Sequence, residues 1–200
     1  MTLDFINVGY GDAILIRSGS FTMLVDCGDW TVGDGGPDSQ RISAADFLRQ
    51  EGIDTLDLLV LTHLHRDHSG GLTKLLECVA VRSFRCNYLP DRIFWGKRVP
   101  VPEGFSAGAR CLLESLNVFL SALAIMERQG TEISLASPGA WPLTPELTAE
   151  CFLEAQPIFE RQAAIWQNVL EDRADNRELE ELDGFINNTS IRLRLSYAGQ

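Results

Sequence analysis

Histidine is scarce in this sequence, with three among 200 residues, and cysteine is unpaired in pattern. The five cysteines, Cys27, Cys78, Cys86, Cys111 and Cys151, are odd in number and include no CxxC pair. They read as reduced thiols of a cytoplasmic protein, not as a disulfide framework. Long hydrophobic runs are also missing. Uninterrupted apolar stretches reach only about 6 to 10 residues, against the ~20 that a spanning helix needs, so no membrane segment is expected. The start, Met1-Thr2-Leu3-Asp4-Phe5, lacks a basic region and a long apolar region, and no signal peptide is expected. Positive charge is short: 17 Lys plus Arg stand against 28 Asp plus Glu, a net charge of −11. The chain as a whole therefore does not grip nucleic acid electrostatically, although a local basic groove or a bound metal remains compatible with that balance. What is present is ordinary for a globular domain, with 45% hydrophobic and 22% charged residues. That length buries a core without staples.

The first third reads as short strands separated by glycine turns. Strands are expected over Leu3–Val8, Ala13–Ile16 and Phe21–Val25, with turns at Gly9-Tyr10-Gly11-Asp12 and Ser18-Gly19-Ser20. A mobile loop is expected over Asp29–Ser39, and a helix over Ser43–Glu51, capped by Ser43 and stopped by Gly52. Leu56–Leu61 is nearly all apolar, as suits a strand buried on both faces. A polar burst follows it directly, and Leu72–Cys78 resumes helical spacing. Downstream, Val79–Tyr88 reads as a strand, Pro90–Gly108 as a loop, Ala109–Gln129 as a helix, and Ile133–Ala136 and Leu147–Leu153 as strands. Ile158–Leu182 reads as one long polar helix, its charge run from Glu171 onward being a solvated face, and Ile191–Leu195 as a half-buried strand.

All three histidines, His63, His65 and His68, fall in that polar burst, with Asp67 among them. Imidazole nitrogen and carboxylate oxygen are the donors that Zn, Fe or Mn accept. On a loop leaving a strand, His63 and His65 share a face, and Asp67 and His68 turn toward a second position. The bland alternative is a set of surface histidines on a polar loop.

Thr62-His63-Leu64-His65-Arg66-Asp67-His68-Ser69-Gly70-Gly71-Leu72 resembles the signature loop of the metallo-β-lactamase-fold hydrolases. Phe5–Ile16, Leu24-Val25-Asp26-Cys27-Gly28 and Asn187–Leu195 resemble segments of one branch, the hydrolase domain of ComEC-type competence proteins, with Tyr10 where Gln is more usual. The resemblance implies an α/β fold, a four-layer αββα sandwich. It implies that His63 and His65 bind one metal, and that Asp67 and His68 bind a second or, with one metal present, orient the nucleophilic water. The implied cofactor is Zn, one or two ions, with Mn or Fe as substitutes. Asp26 would hydrogen-bond a ligating imidazole, its rival role being a strand-end turn. Asp12 would shape the turn beside the site, in a structural or a catalytic role.

The family completes its site with another His and a bridging Asp downstream, and no fourth His is present. The expectation is therefore one domain over residues 1–200 that comprises the first half plus a low-signature helical insertion over 90–183. The second half would be absent by truncation, supplied by a partner chain, or dispensable to a reduced site. Strands Leu56–Leu61 and Ile191–Leu195 would then lack part of their cover. The implied activity is hydrolysis by a metal-bound hydroxide, with Asp67 catalytic, on a phosphodiester of a nucleotide or nucleic acid. Arg66, Lys74, Arg82, Arg85, Arg92, Lys97 and Arg98 form either a phosphate-facing patch or ordinary surface charge. The alternative is a non-catalytic metal-binding or interaction module that docks a protein partner through the acidic helix 160–181.

Overall fold

The computed structural model describes residues 1–33, 39–173 and 175–198. The loop expected over Asp29–Ser39 lies partly outside the described residues.

Among the described residues nine strands form two sheets. In the larger, β1 (Thr2–Phe5), β2 (Ile14–Ser18) and β3 (Phe21–Val25) run as an antiparallel meander. The strands β4 (Thr55–Leu61), β5 (Ala80–Cys86) and β6 (Glu132–Leu135) then add in parallel, giving the order β1-β2-β3-β4-β5-β6. The smaller sheet is antiparallel, β7 (Gly139–Pro142), β8 (Leu147–Phe152) and β9 (Arg192–Tyr197) in that order. The helices are α1 (Ala44–Gln50), α2 (Arg66–Ser69), α3 (Leu72–Leu76), α4 (Ala107–Gln129), α5 (Gln156–Leu170) and α6 (Asn176–Phe185).

Side-chain alternation along the strands divides the core. Leu15, Leu24, Leu59, Leu61 and Phe84 face one side, where Ala45 and Leu48 of α1, Leu72 and Leu75 of α3, and Leu116, Phe119 and Leu123 of α4 cover them. Trp166 of α5 and Leu179 of α6 extend that core, the Trp166 ring lying 6.1 Å from Tyr88. Ile16, Met23, Leu58 and Val60 face the other side and meet Trp141, Leu147, Ala149 and Cys151 of the smaller sheet. The layers are thus helices, large sheet, small sheet, three of the four layers expected. The small sheet's outer side carries Glu150, Arg192 and Arg194, with Arg194 paired to Glu150 and Arg192 to Glu154. Residues 90–183 supply strands to both sheets as well as helices. All five cysteines are free, and Cys27, Cys86 and Cys151 are buried.

Ser43 caps α1 by accepting from the Asp46 amide at 3.1 Å, and Ser106 caps α4. Gly130, at φ +77, ends α4 in the left-handed conformation. By length and composition α4 is apolar enough to cross a membrane, although no uninterrupted apolar run marked it. In this fold its Leu112, Leu116, Phe119, Leu120 and Leu123 are packed in the core.

Three sequence readings change. The single helix expected over Ile158–Leu182 is two helices. The chain turns at Asp172, φ 59, and α6 restarts where the Asp175 side chain accepts from the Arg177 amide. Gly139 and Pro142 hid β7, an edge strand, where proline is tolerated. Strand β4 is covered on both faces, so of the two strands expected to lack cover only the second, at Leu193 and Leu195 of β9, is thinly covered, together with β1.

Candidate functional site

Strand β4 delivers Thr62 and the histidines to the C-terminal edge of the parallel strands, where α/β folds place ligands. Beside it, β3 ends at Asp26, buried and in the left-handed region at φ 60. A non-glycine residue held there carries strain that its surroundings must offset. Here the Asp26 amide donates to Val60 O, while its carboxylate accepts three bonds. Thr62 N reaches Oδ1 and Thr62 Oγ1 reaches Oδ2, each at 2.7 Å, and His68 Nδ1 reaches Oδ2 at 2.8 Å.

Backbone contacts fix the rest of the loop. Cys27 N donates to His68 O, Gly71 N to Gly28 O, and Gly28 N to Asp12 O. Gly11, at φ +87, lies so close to the motif that a Cβ there would sit 1.6 Å from Asp67 O. Only glycine fits that approach.

The three imidazoles converge. The His63 ring centroid lies 4.2 Å from that of His68 and 5.0 Å from that of His65. Hydrogen-bond partners assign the tautomers of His63 and His68. His63 Nδ1 faces Thr62 Oγ1 at 3.0 Å and Ser190 Oγ at 3.2 Å. Each hydroxyl already donates its proton, Thr62 to Asp26 and Ser190 to Asn187 O, so both can only accept here. His63 therefore carries its proton on Nδ1 and presents a lone pair at Nε2. His65 Nε2 lies 3.3 Å from Asp183 Oδ1 and its Nδ1 lies 3.0 Å from Asn187 Oδ1, so an acceptor oxygen faces each of its nitrogens. The His63 Nε2 lone pair faces His65 Nδ1 at 3.2 Å. His68 donates Nδ1–H to Asp26 and leaves Nε2 free, 3.7 Å from Asp67 Oδ2.

With a proton on His65 Nδ1 the two nitrogens share a hydrogen bond, and without it they are two donors for one cation. Two ligands on a tetrahedral ion at ~2.0–2.1 Å stand about 3.3 Å apart, which is the His63–His65 spacing. In donor type and in that pairwise spacing the residues fit a transition-metal ion. They fall short in number. Among the described residues no group of three or more His, Cys, Asp or Glu side chains gathers where it could hold one. The four expected ligands are present as two pairs, not as a closed cage.

Burial, with the charges of His68 and His65, pulls the His63 pKa down to about 3, so its imidazole is neutral near pH 7. Burial also lowers His68, but the Asp26 hydrogen bond and the charges of Asp26, Asp67 and Asp12 outweigh it, and its pKa is raised. Desolvation raises Asp26.

Asp12 shares a cleft of about 390 Å³ with Asp26, His63 and His68, walled by Leu3, Phe5, Ile14, Leu193 and Leu195. Its carbonyl, not its carboxylate, makes the recorded bond to Gly28. Among the described residues, Arg66 is the one member of the expected basic patch that lines a cleft shared with a histidine. Arg82 and Lys74 are paired elsewhere, with Asp57 and Asp46. Asp183, Asn187 and Ser190 are partners of the histidines that sequence reading did not single out. Asp183 sat at the end of an acidic stretch read as a solvated face, and nothing local marks its 118-residue reach to His65.

The sequence model of the metallo-beta-lactamase superfamily matches residues 6–104. A hydroxyacylglutathione hydrolase of Aeromonas salmonicida (strain A449) is 33% identical over 89 residues, covering 44% of this chain and 27% of the relative. A metallo-beta-lactamase of Cronobacter sakazakii, an HARLDQ-motif mutant, superposes with a TM-score of 0.52 at 12% identity, over 98% of this chain and 57% of the other. The chain thus spans well under two thirds of the length of each. Residues 6–104 are thus similar to the metallo-beta-lactamase superfamily, and the fold is metallo-beta-lactamase-like.

Proposed function

We propose that this chain carries part of the active site of a metal-dependent hydrolase. The observation that carries the reading is the 3.2 Å spacing of His63 Nε2 and His65 Nδ1, with each ring held at its far nitrogen by acceptor oxygens, those of Thr62 and Ser190 on His63 and that of Asp183 on His65. His63 and His65 would hold one ion, and His68 with Asp67 a second. When bound, a zinc, manganese or iron ion supplies Lewis-acid chemistry and makes water acidic enough to react near pH 7.

The chain's own residues do the positioning. Thr62 and Ser190 fix the His63 ring, Asp183 fixes His65, and Asp26 fixes His68, each through the nitrogen turned away from the site. Asp67, half exposed, accepts a proton from attacking water and orients it toward the substrate. The apolar walls of the 390 Å³ cleft limit competing water.

The resemblance to the ComEC-type branch favours a phosphodiester substrate, and the Aeromonas relative points to an acylglutathione. The absence of a three-donor group among the described residues favours a second reading, a non-catalytic metal-binding module that docks a protein through the acidic segment 160–181. Metal analysis and turnover separate the two. Tightly held zinc, with hydrolysis of bis(p-nitrophenyl) phosphate or of an acylglutathione that disappears in His65→Ala, is the expected result. One weakly held ion and no turnover of either ester would overturn the hydrolase reading in favour of the module.

A further inference from the structure

A second cleft, of about 420 Å³, opens on the other side of the motif and is lined by Tyr10, Asp29, His65, Arg66, Asp67 and Cys111. Arg66 is held in it from two directions. Its Nε donates to Asp29 Oδ2 at 3.0 Å, and its guanidinium carbon lies 4.7 Å from the centroid of the Trp30 ring. Asp29 is buried and engages through one oxygen only, while its Oδ1 has no hydrogen-bond partner among the described residues. An arginine gripped by a carboxylate usually spends Nε and a terminal nitrogen together in a two-pronged bond. Here the terminal nitrogens have no protein acceptor within hydrogen-bond distance among the described residues. The result is a guanidinium fixed in place whose outer donors are unspent among the described residues, in the same cleft as His65 and Asp67.

We propose that Arg66 is a specificity-determining residue that receives an anionic oxygen group of the substrate, phosphoryl or carboxylate, beside the bond to be cleaved. Asp29 and Trp30 are its positioning residues. The assignment rests on the hydrolase reading, and it names the feature that the substrate must carry. Planar donors in a fixed fork match two oxygens of a phosphoryl or carboxylate group, which a lysine ammonium does not. Asp67 lies in the same cleft with like charge to such a group, so binding is measured on the zinc-loaded chain.

The test compares wild type, Arg66→Gln and Arg66→Lys in two arms. In the first, turnover is followed on anionic bis(p-nitrophenyl) phosphate and on neutral p-nitrophenyl acetate. Arg66→Gln is expected to raise KM for the anionic ester roughly 10- to 100-fold, with little change in kcat and none for the neutral ester. In the second, inorganic phosphate and succinate are titrated calorimetrically, and affinity for at least one falls about tenfold or more in Arg66→Gln. Stronger dependence for phosphate assigns the group as phosphoryl, and stronger dependence for succinate assigns it as carboxylate. Arg66→Lys, which keeps the charge, is expected to fall between, and it decides the same readouts if Arg66→Gln does not fold. If wild type hydrolyses neither ester, the hydrolase reading fails and the titrations alone decide Arg66. Unchanged anion affinity in the variants, or an equal fall in kcat on both esters with KM unmoved, overturns the proposal.

Discussion

On one face of the six-stranded sheet, Leu15, Leu24, Leu59 and Phe84 are wholly buried beneath three helices. On the other, Ile16, Met23, Leu58 and Val60 are roofed by the small sheet, but the roof stops short of β1. There Leu3 and Phe5, which pair with Ile16 and Ile14 across the β1–β2 ladder, are 44% and 77% exposed. The gap is the cleft that leads to His63 and His68. The same sheet is thus closed under the helices and open beside His63 and His68. The contrast shows why the histidines sit at the seam between the two sheets, where Thr62 O accepts from the Ile191 amide.

The contrast is broken most directly with two phenylalanines. Phe84→Ala is expected to cost about 3–5 kcal/mol, the usual range for a buried aromatic, while Phe5→Ala stays within about 0.5 kcal/mol. Denaturant unfolding measures both, and equal costs would mean that the cleft is closed in solution. A second test reaches the seam itself. Asp26→Asn tolerates the left-handed backbone but replaces one acceptor oxygen with an amide donor, so zinc affinity is expected to fall roughly 10- to 100-fold and the melting transition to drop with it. Retained affinity would detach Asp26 from the site.

The smallest effect is on pH dependence in the metal-free chain. His63 has a folded pKa of about 3 against an ordinary value of 6.5. Below pH 6.5 the unfolded state takes up that proton first, so stability falls with decreasing pH until about 3, by at most about 1.4 kcal/mol per pH unit. His68 is raised, so its contribution runs the other way, being full below the ordinary imidazole range and lost as pH rises through its folded value. Unfolding of wild type and His63→Gln at pH 7 and pH 4.5 separates these. A variant with the same slope as wild type would remove His63 as the cause.

What could be read from the sequence was whatever is encoded locally. Phe21–Val25 was bounded by turn residues and appears as β3 with those limits, and Ser43 and Gly52 bracketed α1 because capping depends on a few neighbouring residues. The histidines were legible as a cluster because all three fall on one loop. Of their supports, Asp26 was legible through its motif and the later ones were not. Asp183, Asn187 and Ser190 reach them only through tertiary packing, and no periodicity or spacing marks a bond spanning 118, 122 or 127 residues. The break between α5 and α6 was missed because it turns on the backbone of a single residue, Asp172, within a polar stretch of helical composition.

Those long-range bonds set an order of events during synthesis. His63 and His65 leave the ribosome well before Asp183 and Ser190 exist to orient their rings. Until the later segment arrives, the nascent imidazoles are free to rotate and to exchange tautomers. The ring geometry described above therefore waits on translation of residue 190 and the docking of β9 beside the loop.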